Sequence, residues 1–164
     1  LLECALPRMR ALAEQAGQSC HLTVRHEAQA LVLAHVDSPQ PISLTVRTGT
    51  RAPLSESGSG RVLLAFMPED ERRRLTEQTD DFAQLRSRLT EIRRRGYEQR
   101  RSAQSRGIID LSAPVLDARG QAMAALTVPH LTMLGAGVSR AACRELVIET
   151  AGNLTADLTS EAAT

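Results

Sequence analysis

Three small residues, Gly58-Ser59-Gly60, stand directly before an apolar run at 61–67, and they form the clearest chemical feature of the sequence. The run predicts a helix, and a helix N-terminus offers unpaired backbone N–H groups and partial positive charge. Glycines let a ligand approach the backbone, and Ser57 and Ser59 add hydroxyl groups. The pattern therefore indicates an anion site suited to a carboxylate. The alternative, that one of the serines only caps the helix, stays open.

A second candidate is Asp110, which lies between Ile109 and Leu111 in an apolar segment. A carboxylate that faces the interior needs a partner, and Arg100, Arg101 or a ligand hydroxyl or amine could provide it. Arg100 is a natural clamp for a ligand carboxylate if its side chain points inward, because a guanidinium binds a carboxylate through two parallel hydrogen bonds. These residues favour a small organic or aromatic acid as ligand. An outward-facing Asp110 is the alternative.

Nucleophilic and metal chemistry find little support. Cys20 and His21 are adjacent in a predicted strand, so their side chains point to opposite faces and do not readily form a catalytic pair. His21, His26, His35 and His130 lack the spacing of metal ligands, although three of them lie on predicted strands and could converge. We therefore predict no catalytic residue, no metal site and no cofactor.

Composition bounds the class of protein. The 164 residues are 42% hydrophobic and 24% charged, which fits one globular domain. The 20 basic residues, all Arg, balance 19 acidic residues, so the net charge of +1 gives no general attraction to DNA or to an anionic membrane. With an aromatic content of 2%, the chain also lacks the rings on which nucleic-acid bases stack.

The cysteines and the apolar runs bear on the compartment. Cys4, Cys20 and Cys143 are odd in number and form no CxxC pair, which argues against a disulfide framework. No apolar run approaches the ~20 residues that span a bilayer. We expect a cytoplasmic protein that does not contact membranes.

Hydrophobic periodicity places the elements that must position these residues. Helices are predicted at 1–16, 61–67, 68–75 and 82–95 and from residue 139 onward, and strands at 20–25, 30–36, 42–46, 97–102, 107–116 and 122–131. Because the strands come mostly as hairpins with helices between and around them, we expect an α+β fold. Its six-stranded, mostly antiparallel sheet would carry the helices on one face.

Several local strings, taken in chain order, carry a resemblance. The strings are Cys20-His21-Leu22-Thr23-Val24, Gly49 followed by Pro53-Leu54, Gly58-Ser59-Gly60-Arg61-Val62-Leu63-Leu64-Ala65, Arg95-Gly96-Tyr97 and Leu111-Ser112-Ala113-Pro114-Val115-Leu116-Asp117. In this order they resemble the C-terminal domain of the IclR family of transcription regulators, whose profilin-like fold is related to GAF and PAS ligand-sensing domains. The resemblance covers nearly the whole chain.

The resemblance implies a domain organisation and a set of partners. Residues 1–16 would end a linker helix, and 17–164 would form an effector-binding and oligomerisation domain. An N-terminal winged helix-turn-helix domain, absent from this chain, would bind operator DNA. A small-molecule effector would change the geometry of a homodimer or homotetramer, and a two-fold dimer would match a near-palindromic operator. On this interpretation the chain is not an enzyme.

The resemblance also implies an effector pocket, carried over residue by residue. The implied pocket residues are Gly58, Ser59, Gly60, Arg100, Asp110, Thr127 and Pro129, with Leu44, Ala52 and Leu54 as apolar wall. The sequence departs from the family where Arg100-Arg101-Ser102-Ala103 replaces a frequent acidic stretch, where Asp110 replaces Cys, Ser or Ala, and where Arg61 replaces a common Lys. The identity of the effector therefore does not carry over.

Two alternative functions remain. The chain could be an oligomerisation module of the same family with a vestigial pocket, which the unusual Arg100 and Asp110 leave open. It could also be a small non-metal hydrolase, but a hydrolase needs a base, a nucleophile and an oxyanion donor held together, and the sequence offers only the last.

Overall fold

The computed structural model describes residues 1–77, 79, 81–102, 105–132 and 137–161. In these ranges the elements are α1 (Leu2–Ala16), β1 (Cys20–His26), β2 (Gln29–Val36), β3 (Arg51–Pro53), α2 (Gly58–Ala65), α3 (Glu69–Thr76), α4 (Phe82–Arg95), β4 (Glu98–Arg101), β5 (Ile108–Leu116), β6 (Ala122–Leu131) and α5 (Arg140–Glu161). The helices among these residues do not combine the length and hydrophobicity that crossing a membrane requires.

The strands form one six-stranded sheet in the order β3-β2-β1-β6-β5-β4, and each neighbouring pair is antiparallel. Local turns set the two long hairpins. Glu27 takes a positive φ of 56° between β1 and β2. The Asp117 carboxylate accepts the backbone N–H groups of Arg119 and Gln121 between β5 and β6. The predicted α+β fold with an antiparallel sheet is confirmed.

The prediction of a strand at 42–46 is wrong. The third strand is instead Arg51–Pro53, inside the segment predicted as a loop, and it pairs with β2. Next to this pairing, Gly49 N donates a hydrogen bond to Val32 O, and Val32 N donates one to Thr50 O. The 42–46 segment alternates in hydrophobicity but pairs with none of the six strands, and Ile42 is 66% exposed. Alternation alone does not make a strand where no neighbouring strand is available for hydrogen bonding.

Helix α2 begins at Gly58, three residues before the predicted start. The Ser57 hydroxyl accepts a hydrogen bond from Gly60 N at 3.0 Å, which is the usual N-cap contact. Gly58, Ser59 and Gly60 therefore form the first turn of the helix instead of a loop before it.

The helices pack on both faces of the sheet, which corrects the prediction that they gather on one face. Buried residues of α1 and α5 recur at helical spacing and cover one face of the sheet. On that face they pack with Cys20 and Leu22 of β1. The opposite face, here called the α2 face, is covered at one end by α2 and α4. Because side chains alternate along a strand, His21 and Thr23 lie on the α2 face.

Candidate functional site

A cavity of about 500 Å³ lies on the α2 face. Alternate residues of β1, β2, β5 and β6 form its floor, the first turn of α2 forms one wall, and residues 44–47 and 50–52 line it on another side. The floor residues are His21, Thr23, Ala30, Val32, Asp110, Thr127 and Pro129. The segment predicted as a third strand therefore contributes Leu44, Thr45 and Val46 to a wall of this cavity. Its volume suits a small organic molecule.

The first turn of α2 is fixed by close contacts on either side. A Cβ on Gly58 would lie 3.1 Å from Ser112 Oγ and 3.3 Å from Asp110 Cβ, so the helix start touches β5. A Cβ on Gly60 would lie 2.4 Å from Leu54 O, which a real side chain does not reach. Gly60 thus allows the helix to pack on the chain at Leu54, and it does not line the cavity. With Gly60 N capped, the N–H groups of Gly58 and Ser59 remain outside the hydrogen bonds of the helix.

Asp110 faces the cavity, but Arg100 forms no salt bridge with its carboxylate. The Arg100 guanidinium donates to Glu56 O at 2.7 Å, near the surface, and Arg100 does not line the cavity. Among the described residues, Asp110 forms no salt bridge. Burial raises the pKa of Asp110 to about 6, nearby Arg100 lowers it, and Glu98 adds to the increase. The floor therefore holds a carboxylate that forms no salt bridge with the described residues.

Two floor residues on β1 are further candidates that the sequence analysis did not select. Thr23 is 1% exposed and His21 is 7% exposed. Within the described part of the chain, neither Thr23 Oγ1 nor His21 Nδ1 has a hydrogen-bond partner. Burial, followed by nearby His35, lowers the pKa of His21 to about 4, so its imidazole is neutral. The sequence signal is the alternation along β1, where polar His21 and Thr23 alternate with apolar residues and therefore share one face.

The remaining predicted residues divide between the cavity and the protein interior. Thr127 lines the cavity, and its hydroxyl lies 2.8 Å from that of Ser112. Pro129, Leu44 and Ala52 line it as well. Leu54, predicted as apolar wall, is instead 4% exposed in the core that α2 and α4 share. Arg47, Arg51 and Glu56 line the cavity and were not predicted.

Replacing Asp110 with Asn is expected to stabilise the unliganded chain by on the order of 1–2 kcal/mol at pH 7, since it removes a half-buried charge that forms no salt bridge with the described residues. The pKa of about 6 in the folded state lies above the ordinary value near ~4, so the folded chain binds this proton more tightly than the unfolded chain. The cost of the ionised carboxylate therefore grows as the pH rises from about 4 to about 6 and is constant above that window.

Urea denaturation of both proteins between pH 4 and pH 8 measures this cost. The free-energy difference between Asp110→Asn and the parent should increase with pH and then level off. A difference that is independent of pH would mean that Asp110 is not the titrating group.

The described residues contain no group of three or more His, Cys, Asp or Glu side chains placed to hold a metal ion.

Comparison with known proteins identifies the family. The family model described as "Bacterial transcriptional regulator IclR C-terminal" matches residues 1–156. The HTH-type transcriptional regulator BhcR of Paracoccus denitrificans is 32% identical over 164 residues, covering 94% of this chain and 59% of that protein. The HTH-type transcriptional regulator KdgR of Escherichia coli is 28% identical over 143 residues, covering 81% of this chain and 54% of that protein.

Solved structures share the fold. HmgR of Pseudomonas aeruginosa superposes with a TM-score of 0.83 at 27% identity, covering 96% of this chain and 66% of that chain. An IclR homolog from Microbacterium hydrocarbonoxydans, complexed with 4-hydroxybenzoate, superposes with a TM-score of 0.82 at 22% identity. The superposition covers 97% of this chain and 68% of that chain. The chain spans a little over half the length of the curated relatives. From the match to residues 1–156, the chain belongs to the family of IclR C-terminal domains of bacterial transcriptional regulators.

Proposed function

We propose that this chain is the effector-sensing domain of an IclR-type DNA-binding transcription regulator. In this proposal a small organic or aromatic acid binds in the cavity on the α2 face. Its binding changes the oligomer and hence the affinity for operator DNA. The observation that carries the proposal is the meeting of a helix N-terminus with buried, unpartnered polar groups in one cavity.

Unpartnered polar groups are the strongest support for a ligand. A buried donor or acceptor without a partner costs about 1–3 kcal/mol. Thr23 Oγ1 and His21 Nδ1 both carry this cost within the described part of the chain. A bound polar molecule would remove the cost by supplying hydrogen bonds. A cavity that served only packing would be lined with apolar side chains.

The preference for an acid is supported by positive charge on two sides of the cavity. The N–H groups of Gly58 and Ser59 and the partial charge of the α2 N-terminus favour an anion. Arg47 and Arg51 line the same cavity. The Microbacterium homolog, with the same fold, was solved with an aromatic acid.

The link to DNA is a proposal about the whole regulator. The relatives are named as HTH-type regulators, so we propose that operator DNA is bound by a winged helix-turn-helix domain on the N-terminal side of α1, in the cytoplasm. We propose a homodimer or homotetramer and no enzymatic activity. An effector regulates such an assembly only if it binds one quaternary arrangement more tightly than another.

Small carboxylic and aromatic acids are expected to raise the unfolding free energy of this chain. A ligand at 100 times its dissociation constant adds ~2.7 kcal/mol, because it binds the folded state alone. Thermal unfolding against a panel of such acids measures the shift. Acetamide and benzamide, which lack the carboxylate, are the matched controls. A panel without any shift would favour an oligomerisation module with a vestigial pocket.

Replacing Thr23 with Val is expected to stabilise the empty chain by about 1 kcal/mol and to weaken acid binding by roughly threefold to tenfold. The substitution removes a buried hydroxyl that lacks a partner and keeps the shape of the side chain. Thr127→Val is the matched control, since its hydroxyl contacts Ser112 and its removal should destabilise the chain by about 1 kcal/mol. Equal losses of stability in the two variants would contradict a ligand-facing role for Thr23.

A further inference from the structure

The cavity places a negative charge beside its anion site. The ideal Cβ of Gly58, in the first turn of α2, lies only 3.3 Å from Asp110 Cβ. A simple acid whose carboxylate binds at Gly58 and Ser59 would therefore bring a second carboxylate next to Asp110. Like charges this close are strongly unfavourable where water is excluded. An acid that carries no positive charge meets repulsion at the place where α2 attracts it.

The side chains around Asp110 relieve this repulsion only in part. The charge of Arg100 acts on Asp110, but among the described residues the two form no salt bridge. Arg100, its cross-strand partner on β4, donates its guanidinium to Glu56 O. Among the described residues, the charged side chains that line the cavity are Arg47 and Arg51 on one hand and Glu56 and Asp110 on the other. The first three are exposed, and Asp110 is half-buried. The charge of these side chains is balanced, so they add no net attraction for an anion to that of the α2 N-terminus.

We propose that the effector carries a protonated amine next to its carboxylate, as an α-amino acid does, with the amine on Asp110 and the carboxylate at the N–H groups of Gly58 and Ser59. This inference rests on the proposed effector-sensing function and narrows its ligand class. The adjacent positions of the two binding groups match the adjacent carboxylate and ammonium groups of an α-amino acid. The ammonium group would form the salt bridge that Asp110 does not form with the described residues.

The rest of the cavity selects for a polar side chain on the amino acid. About 500 Å³ leaves room beyond the two charged groups. Thr23 and His21 line this space and have unpartnered polar atoms within the described part of the chain. A neutral imidazole and a hydroxyl can each donate or accept a hydrogen bond. A hydroxyl or amide on the effector side chain would be held there.

Titration calorimetry with matched pairs of ligands tests the inference. Each standard α-amino acid is paired with the acid that lacks its amine, for example L-threonine with 3-hydroxybutanoate and L-glutamine with 4-carbamoylbutanoate. For at least one pair, the amino acid should bind at least about tenfold more tightly than its deaminated partner, because it alone forms the buried ion pair. Asp110→Asn should abolish this preference. Asp70→Asn, an exposed carboxylate on α3 outside the cavity, should leave it intact.

The outcomes separate the two proposals. If the deaminated acids bind as tightly as the amino acids, the inference fails and the proposed sensing of an acid stands. If an amino acid is preferred but Asp110→Asn keeps the preference, the assignment to Asp110 fails. If neither member of any pair binds, the inference fails, and the thermal-unfolding panel of acids decides the proposed function separately. Urea denaturation of Asp110→Asn verifies that a loss of binding is not a loss of fold.

Discussion

Replacing Gly60 with Ala is expected to destabilise the chain by at least about 3 kcal/mol, the upper end of the usual cost of overpacking. The added Cβ would lie 2.4 Å from Leu54 O and 2.7 Å from Leu54 Cα. Both atoms belong to the backbone, so neither can rotate away as the tip of a side chain would. Helix α2 would have to move off the chain at Leu54, and the first turn that forms the cavity wall would move with it.

Two other glycines provide controls for urea denaturation of this variant. A Cβ on Gly152 in α5 meets nothing within 4 Å, so Gly152→Ala should stabilise the chain by roughly 0.5–1 kcal/mol. Gly58→Ala should be intermediate, because its neighbours at 3.1–3.7 Å are side-chain atoms of Ser112, Asp110 and Arg100. A loss below about 1 kcal/mol for Gly60→Ala would show that the helix start can shift at little cost.

Elements with a strong local signal could be predicted from the sequence. The buried positions of α1 recur at helical spacing, and Gly17 ends the helix in the left-handed conformation as expected. The turn at Asp117 to Gly120 joins two long apolar strands, so the β5–β6 hairpin follows from neighbouring residues alone. Thr127 and Asp110, expected in the pocket from the family resemblance, lie on the cavity floor.

Features that depend on long-range contacts could not be predicted. Strand β3 has three residues and exists because β2 lies beside it, so no local periodicity marks it. Arg100 was expected to enter the cavity, but its guanidinium finds Glu56 O instead. Leu54 was assigned to the cavity wall, but its backbone packs against Gly60 and its side chain lies in the core that α2 and α4 share. Side-chain direction in loops and at strand ends is set by packing, which the sequence pattern does not encode.

Replacing Arg88 with Leu is expected to cost about 3 kcal/mol, because it leaves a buried carboxylate without its counter-ion. Glu98 is 0% exposed at the start of β4. Arg88, on α4, donates two hydrogen bonds to the Glu98 carboxylate and one to Gln99 O. The hydrogen bond to Glu98 raises the pKa of Arg88, so the Arg88 guanidinium remains charged. The ion pair thus attaches the edge strand β4 to α4.

A double-mutant cycle with Glu98→Leu separates the ion pair from simple packing. The double variant should be more stable than Arg88→Leu alone, since an apolar pair of similar volume carries no buried charge. Urea denaturation of the four proteins gives the coupling energy, and additive losses would rule out a specific pair.

Arg100 and Asp110 are cross-strand partners in β4 and β5, so a displaced β4 should also weaken effector binding. Recovery of stability without recovery of binding in the double variant would show that the ion pair sets the position of the cavity floor.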